Sequence, residues 1–535
     1  MKQINFDKNV RELLIEGVDR LNEAVSSTLG ARGSNVILQT GSAYGVTKDG
    51  VTVAMQVESN DPIENAAIQI VKEAASRTAR DAGDGTTTAT VIASSMIKDA
   101  LMYVGNGAKR NDVRRGMEYA VESALKYIDS MKQEVDGDED IYNIARISAN
   151  NDPVLGRMVA DIFKKVGKTG AVRLEETQMN ETVVDTIEGC QINSGMLSPN
   201  FANQNNGAAD YKETMIIVTD KKFDGAFSEL VPALDLIIEH SEKIKKTIPI
   251  LIICGGMEGE TLRTLVLNKI QKKFPIVAIT APDMGDKRME ILDDIATITG
   301  ATVLSDERGF GFDSPSLDFF GTADRVIVDK EFTTILGRHG EKKDIDIRVN
   351  EIEDLKVKDR NNMETWRLDR RIATLTGGIG VIYVGGNSNT EMKETYYRLE
   401  DALSATKASL ESGFVTGGGI AYLSAGKSIK SPKKGFFPPH GQKDFDLGVG
   451  LVVHALSMPM RTIVKNAGIS GSVVFEKLSM SGNKFGYDVM LNEYGDMIKR
   501  GIIDPTKVAK SAIQNAVSVA IMLLTTNCAI TNKKE

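Results

Sequence analysis

A chain of 535 residues is longer than one compact core allows, and at roughly 100–200 residues per domain it suggests about three. Hydrophobic residues at 41 % and charged residues at 26 % describe a folded protein, and 49 glycines against 13 prolines point to many close backbone approaches and few rigid linkers. With 65 basic and 73 acidic side chains the net charge is −8, which leaves no basic footprint for general phosphate-backbone binding and argues against nucleic acid as a partner.

The N-terminal stretch MKQINFDKNVRELL carries Lys2, Asp7, Lys8 and Arg11 before any apolar run, so neither a signal peptide nor an Arg-rich transit peptide is expected. No uninterrupted apolar stretch reaches membrane-spanning length, and no membrane partner is expected. Cys190, Cys254 and Cys528 lie far apart in no CxxC spacing, which fits buried thiols in a reducing, cytoplasmic compartment. His240, His339, His440 and His454 are scattered and read as ordinary histidines rather than metal ligands.

The first 130 residues read mostly as helix: NVRELLIEGVDRLNEAVSSTLG and ENAAIQIVKEAASRTARDAG place apolar residues at three-to-four spacing. The segment DAGDGTTTATVIA, residues 81–93, then puts glycines and consecutive threonines between two helical patterns. EVDGDEDI near residue 137 reads as a loop. From about Glu188 to Gly378, short β-branched runs (TMIIVTD, IPILIICGG, FPIVAITA, TVLSD) alternate with helical segments, the pattern of an α/β domain. KSIKSPKKGFFPPHGQKDF reads as a second loop, in which Phe436 and Phe437 beside Pro438 and Pro439 serve either a partner or local packing. Helical patterning returns in DLGVGLVVHALSMPMRTIVKNAG and PTKVAKSAIQNAVSVAIMLLTTN. One economical architecture is a helical domain built from both chain ends with an α/β domain inserted between them.

Asp84, Gly85 and Thr86 to Thr88 fall at a helix start, where unpaired N–H groups and the positive dipole end can hold an anion. Glycine admits phosphate oxygens to the main chain, threonine hydroxyls add donors, and a carboxylate one residue earlier suits a hard cation such as Mg²⁺. The same residues also make an ordinary capped helix after a glycine C-cap, and the lysine of a P-loop is missing. TLGARGSNV, VTKDGVTVA and the run Gly417, Gly418, Gly419 repeat the theme of glycine and polar side chains in short turns.

The segments TLGARGSNV, TKDGVTVA, GDGTTTATV, GMLSPNF, EGETLRTLVLNKI, DDIATITGATV, EMKETYYRLEDALSATKASLESGFVTGGG and GIIDPTKVAKSAIQNA, in that order, resemble the group I chaperonins, the GroEL-like family, over nearly the whole chain. The resemblance implies a multidomain α and α/β fold. Residues 1–130 and 412–535 would form a helical equatorial ATP-binding and ring-forming domain, 131–187 and 380–411 a small intermediate hinge domain, and 188–379 an inserted α/β apical substrate-binding domain. It implies ATP and Mg²⁺ as ligands, with Asp84 on the metal and Gly85, Thr86, Thr87 and Thr88 cradling phosphate. Thr28, Leu29 and Gly30 would contact nucleotide; Thr28, Lys48 and Thr87 would lie near a monovalent cation, K⁺; Gly418 and Asp504 would hold base and ribose. Asp49 and Asp401 match the carboxylates that serve hydrolysis, although on its own Asp401 reads as a charge on a solvated helix face.

In the apical domain Val231, Leu234, Leu262, Val266 and Leu267 match a groove that binds non-native polypeptides, with Met196 and Phe201 beside it. Gly189, Gly377, Gly378 and Gly413 match hinges. The implied function is ATP-dependent protein folding by seven-membered rings, single or double, with a co-chaperonin lid as a possible partner; the rival reading is an ATP-binding holdase or assembly scaffold with little turnover. The chain departs from the family pattern at Asp488, Val489 and Met490 near adenine, at Met196 and Asn200 where tyrosines are usual, and at Asp136 and Gly137 in the lower hinge. It departs again at Ile469 and Ser470, where the double-ring pattern usually has an acidic pair near an arginine matching Arg461.

Overall fold

A computed structural model describes residues 2–40, 43–168, 170–225, 227–271, 274–358, 364–430, 432 and 441–532. The loop carrying Phe436, Phe437, Pro438 and Pro439, together with His440, lies outside the described residues. The chain forms two compact units. Unit 1 comprises Met1–Asp161, Glu176–Thr182 and Val384–Glu535, and unit 2 comprises Ile162–Glu175 and Val183–Tyr383.

Unit 1 is a bundle to which both chain ends contribute. The helix Thr506–Thr525 packs on Thr86–Gly105, Pro62–Ala82 and Arg110–Met131, while Gln442–Asn466 packs on Arg110–Met131 and Thr86–Gly105. Leu21, Ile68, Ile92, Met96, Met117, Phe445, Leu456 and Ile513 meet in its core at zero to 2 % exposure. Full burial of each such side chain contributes about 1.5–3 kcal/mol. Gln442–Asn466 and Thr506–Thr525 are long and apolar enough to cross a membrane by composition, which a search for uninterrupted apolar runs misses. In the most apolar 18 residues of each, 56 % and 50 % of the residues are buried, so their apolar faces serve this core. The segment near residue 137 is only partly loop: the helix Asp138–Ser148 starts inside it, with Asp138, Glu139 and Asp140 in the first turn where the helix dipole favours acids.

Two-stranded sheets decorate the bundle. Lys2–Phe6 pairs with Cys528–Asn532, Val36–Thr40 with Ala43–Thr47, Phe414–Thr416 with Ile503–Pro505, and Phe485–Asp488 with Glu493–Asp496, all antiparallel.

Unit 2 is built on an eight-stranded mixed sheet. Ile276–Thr280, Ile250–Cys254 and Ala209–Val218 run parallel, and Gly321–Val328, Thr333–Leu336, Val183–Ile192 and Gly378–Val384 continue antiparallel. Every residue of ILIIC (250–254) is buried, as expected of a strand covered on both faces. Three helices are tied by a buried ion network: Arg371 of Thr365–Thr376 bonds Asp294 of Asp286–Thr299 at 2.6 Å, and Arg348 of Lys342–Lys358 reaches the same carboxylate at 2.8 Å. Cys190 and Cys254 are buried and burial pushes their thiols up to about 12 and about 11, which makes them inert, whereas Cys528 is only half-buried.

Candidate functional site

Within unit 1, turns and helix ends converge on a cavity of about 500 Å³. It is lined by Thr28, Leu29, Gly30, Lys48, Asp49, Asp84, Gly85, Thr86, Thr87, Thr88, Asp401, Gly418 and Asp504, so the structure brings together every residue that the sequence reading assigns to nucleotide, metal and hydrolysis.

The segment 81–93 resolves into a helix end, a two-turn link and a helix start. Gly83 caps Pro62–Ala82 in the left-handed region at φ 74°, and Gly85 precedes Thr86–Gly105 at φ 88°. A side chain would also collide: a Cβ on Gly83 would lie 2.3 Å from Cβ of Ser404, and one on Gly85 2.6 Å from Cγ1 of Val508. Backbone handedness and packing thus demand both glycines. The threonines that follow leave their N–H groups at a helix start facing the cavity.

Thr28 sits at the end of the first helix, its hydroxyl donating to the Val25 carbonyl at 2.8 Å, and its Oγ1 approaches Oγ1 of Thr87 at 3.4 Å. Asp49 caps the helix Gly50–Gln56, accepting from Val51 N–H at 3.2 Å and Thr52 N–H at 2.7 Å, so its carboxylate is fixed before any ligand arrives. Lys48 donates to the Ala31 carbonyl at 3.4 Å; burial, then Arg398, lower its pKa. Asp84 accepts from Gly85 N–H and from the Ser148 hydroxyl at 3.2 Å.

The cavity holds buried carboxylates, with Lys48, Arg146, Arg398 and Arg500 also on its wall. Among the described residues no lysine or arginine forms an ion pair with Asp49, Asp84, Asp401 or Asp504. Burial, then Asp84 and Asp49, push Asp401 well above the usual carboxylate range. Burial raises Asp84 against the pull of its two hydrogen bonds, and burial with Asp84 nearby raises Asp504 to about 7. Mutual repulsion of buried carboxylates is relieved by a cation, and hard oxygen donors of this kind fit Mg²⁺. Among the described residues no group of three or more His, Cys, Asp or Glu is spaced to hold a metal alone, so a metal here would complete its shell with ligand oxygens and water.

The sign of the pH effect follows. A carboxyl whose folded value lies above its unfolded one keeps its proton in the folded state after the unfolded chain has lost it, so stability falls as pH rises between the two values. For Asp504 that window runs from 3.8 to about 7. Asp504→Asn is therefore expected to raise the Tm of the ligand-free protein more at pH 8 than at pH 5; an equal shift at both would show that charge burial is not its cost.

Sequence reasoning misses several lining residues. Ser148 ends the helix Asp138–Ser148, Asn150 and Asn151 come from the turn after it, both left-handed, and Tyr422, Arg146, Arg398 and Arg500 complete the wall. Asp488 is committed to structure: one oxygen accepts from Met490 N–H at 2.9 Å and Leu491 N–H at 3.2 Å, and the other lies 3.4 Å from Arg500. Val489 is 6 % exposed and Met490 47 %.

In unit 2 the proposed groove residues divide. Phe201 and Leu234 are core, at 0 % and 2 % exposure, and need correction as contact residues; Met196, Leu262 and Val266 pack partly buried against that core. Val231 is half-buried. Leu267 is 55 % exposed and Ile270, beside it on Gly259–Ile270, 56 %. An apolar stripe on a helix faces its own sheet first, and only its rim reaches solvent.

Arg461 does not wait for the absent acidic pair. Its guanidinium lies 3.9 Å from the ring centre of Phe475 and donates to Ser457 at 3.1 Å and Ser472 at 3.4 Å, while Ile469 packs into a small core.

The TCP-1/cpn60 chaperonin family matches residues 21–534 of this chain. Among solved structures, the fold is similar to that of the chaperonin gp146 from the bacteriophage EL 2 (Pseudomonas aeruginosa), crystallised in presence of ATP-BeFx. One crystal form gives a TM-score of 0.75 and another 0.66, each at 23 % identity and over 99 % of both chains.

Proposed function

Because this chain belongs to the TCP-1/cpn60 chaperonin family, we propose that it is an ATP-driven folding chaperonin: rings of subunits capture non-native polypeptide on unit 2, and the nucleotide state of unit 1 sets when they let go. The observation that carries this reading is the convergence of Asp49, Asp84 and Asp401 with the Thr86–Thr88 helix start on one cavity. The phage chaperonin of like fold was crystallised with an ATP analogue, which supports nucleotide as the ligand.

Asp84 would hold Mg²⁺, which neutralises polyphosphate charge when bound. Thr86, Thr87 and Thr88 would offer N–H groups and hydroxyls to the phosphates, Gly418 and Asp504 would hold base and ribose, and Thr28, Lys48 and Thr87 would hold K⁺; all of them line the cavity. Asp49, immobilised by its capping bonds, orients the attacking water. Asp401 accepts that water's proton. Phosphoryl transfer needs this positioning and charge management more than covalent chemistry.

Self-association is supported by two unlike apolar strand pairs on one subunit. The hairpin Val36–Thr40/Ala43–Thr47 exposes Ile37 at 72 % and Tyr44 at 70 %, and the terminal pair exposes Ile4 at 54 %, Phe6 at 60 % and Ile530 at 61 %. A contact between two different surfaces repeats head to tail, and it closes into a ring when the rotation from one subunit to the next divides a full turn. In the proposed domain scheme, residues 1–130 and 412–535 carry this contact and the ATP site, 131–187 and 380–411 transmit the nucleotide state, and 188–379 hold the client. Electron micrographs of the purified protein with and without MgATP test the assembly. Seven-membered rings are expected, with single rings a substantial population in at least one state because Ile469 and Ser470 replace the acidic pair and Arg461 is engaged internally. Monomers in both conditions would remove the ring from the proposal, and double rings alone would remove the single-ring part.

A further inference from the structure

The helix Asp138–Ser148 ends beside the cavity: Ser148 bonds Asp84 there, and Arg146, two residues earlier, lines the wall. The cations of that wall differ in what they already hold. Arg398 is paired with Asp152 at 3.2 Å and Glu394 at 3.0 Å, and Arg500 with Asp488 at 3.4 Å and Glu493 at 3.1 Å. Arg146 has no acid within ion-pair distance among the described residues. Its Nη2 donates to the Arg500 carbonyl at 3.2 Å, its Nε is buried and bonds no described residue, and its Nη1 bonds none either but is open to solvent.

The surroundings add positive charge instead of cancelling it. The Arg146 guanidinium lies 5.5 Å from the ring centre of Tyr142, and that of Arg157, which also has no acid partner among the described residues, lies 4.3 Å from the same ring. Two like charges share one aromatic face with no carboxylate between them. A cation in the last turn of a helix is favoured by the dipole, but a solvated lysine would serve that end as well. A planar fork tethered through one nitrogen, with another left open, suits an oxyanion ligand.

We infer that Arg146 binds the polyphosphate of the nucleotide. This rests on the nucleotide reading of the cavity. Asp49, Asp84, Asp401 and Asp504 line the same cavity and repel a polyphosphate, while Arg398 and Arg500 are neutralised by their own acids, so Arg146 is the wall arginine whose charge is free to offset that repulsion.

Equilibrium titration of the full chain with MgADP and with adenosine, which lacks the phosphates, tests this. Arg146→Gln is expected to bind MgADP about tenfold or more weakly, as for a lost hydrogen bond to a charged group, with adenosine affinity unchanged. Arg146→Lys keeps the charge without the fork and should fall between Arg146→Gln and the unaltered protein. Unchanged MgADP affinity in Arg146→Gln would overturn the assignment. So would an equal loss for adenosine, which would mark Arg146 as no more than a tether of the Arg500 turn. If Arg146→Gln does not fold, Arg146→Lys carries the test: weaker MgADP binding with unchanged adenosine binding supports the assignment, and any other pattern overturns it. Unaltered protein that binds neither MgADP nor MgATP would instead sink the nucleotide reading itself, so the two failures are distinct.

Discussion

Asp401→Ala is expected to bind MgADP at least as well as the unaltered protein and to hydrolyse MgATP slower by on the order of 10² or more. The two halves of this result have opposite physical causes. Burial, then Asp84 and Asp49, hold Asp401 above its usual range, so deleting this carboxyl relieves repulsion that a polyphosphate would otherwise add to. The same deletion removes the base that would take the proton from water. A variant that merely misfolds would lose binding and turnover together. Unchanged hydrolysis would remove Asp401 from the mechanism.

Leu267→Ser combined with Ile270→Ser should weaken capture of a denatured polypeptide by about tenfold or more while MgATP turnover stays at its normal rate. Both side chains are more than half exposed, so the fold loses little, and each exposed apolar group removed takes away non-directional affinity for unfolded chains. Leu234→Ser is the instructive contrast. At 2 % exposure it opens a cavity and buries a hydroxyl in the core of unit 2, at a cost of about 2–5 kcal/mol, so any loss of capture there comes with a lower unfolding temperature. Survival of capture in the Leu267 and Ile270 double variant would move the client surface elsewhere.

Much of the architecture was legible because it is periodic. Helical spacing at both ends and β-branched runs between them describe a bundle interrupted by a sheet, and the core formed by Ile68, Ile92 and Ile513 shows the two ends meeting. The candidate site was legible by a different route. Asp84 and its threonines carry local chemistry that a single segment reveals, whereas Asp401 sits mid-helix in YYRLEDALSATK, and only the resemblance pointed to it. Ser148 and Tyr422 were invisible, since a serine before a turn and a tyrosine in an apolar helix carry no signal until folding brings them to the cavity. Two of the groove residues, Phe201 and Leu234, lie in the core for the converse reason: they have the apolar spacing of a binding stripe, but the same spacing builds a core. Where the chain departs from the family pattern, local partners take over: Asp488 is held by a turn, and Arg461, without the usual acids, lies on an aromatic face.

The central claim is that nucleotide in unit 1 governs the grip of unit 2 on unfolded chains. It is tested most directly by mixing the purified protein with a chemically denatured, fluorescently labelled polypeptide and measuring how much label co-sediments with and without MgATP. The account predicts retention without nucleotide and release on adding MgATP, with release incomplete or slower in Asp401→Ala. Retention that is the same with and without MgATP, or no retention in either, would contradict it.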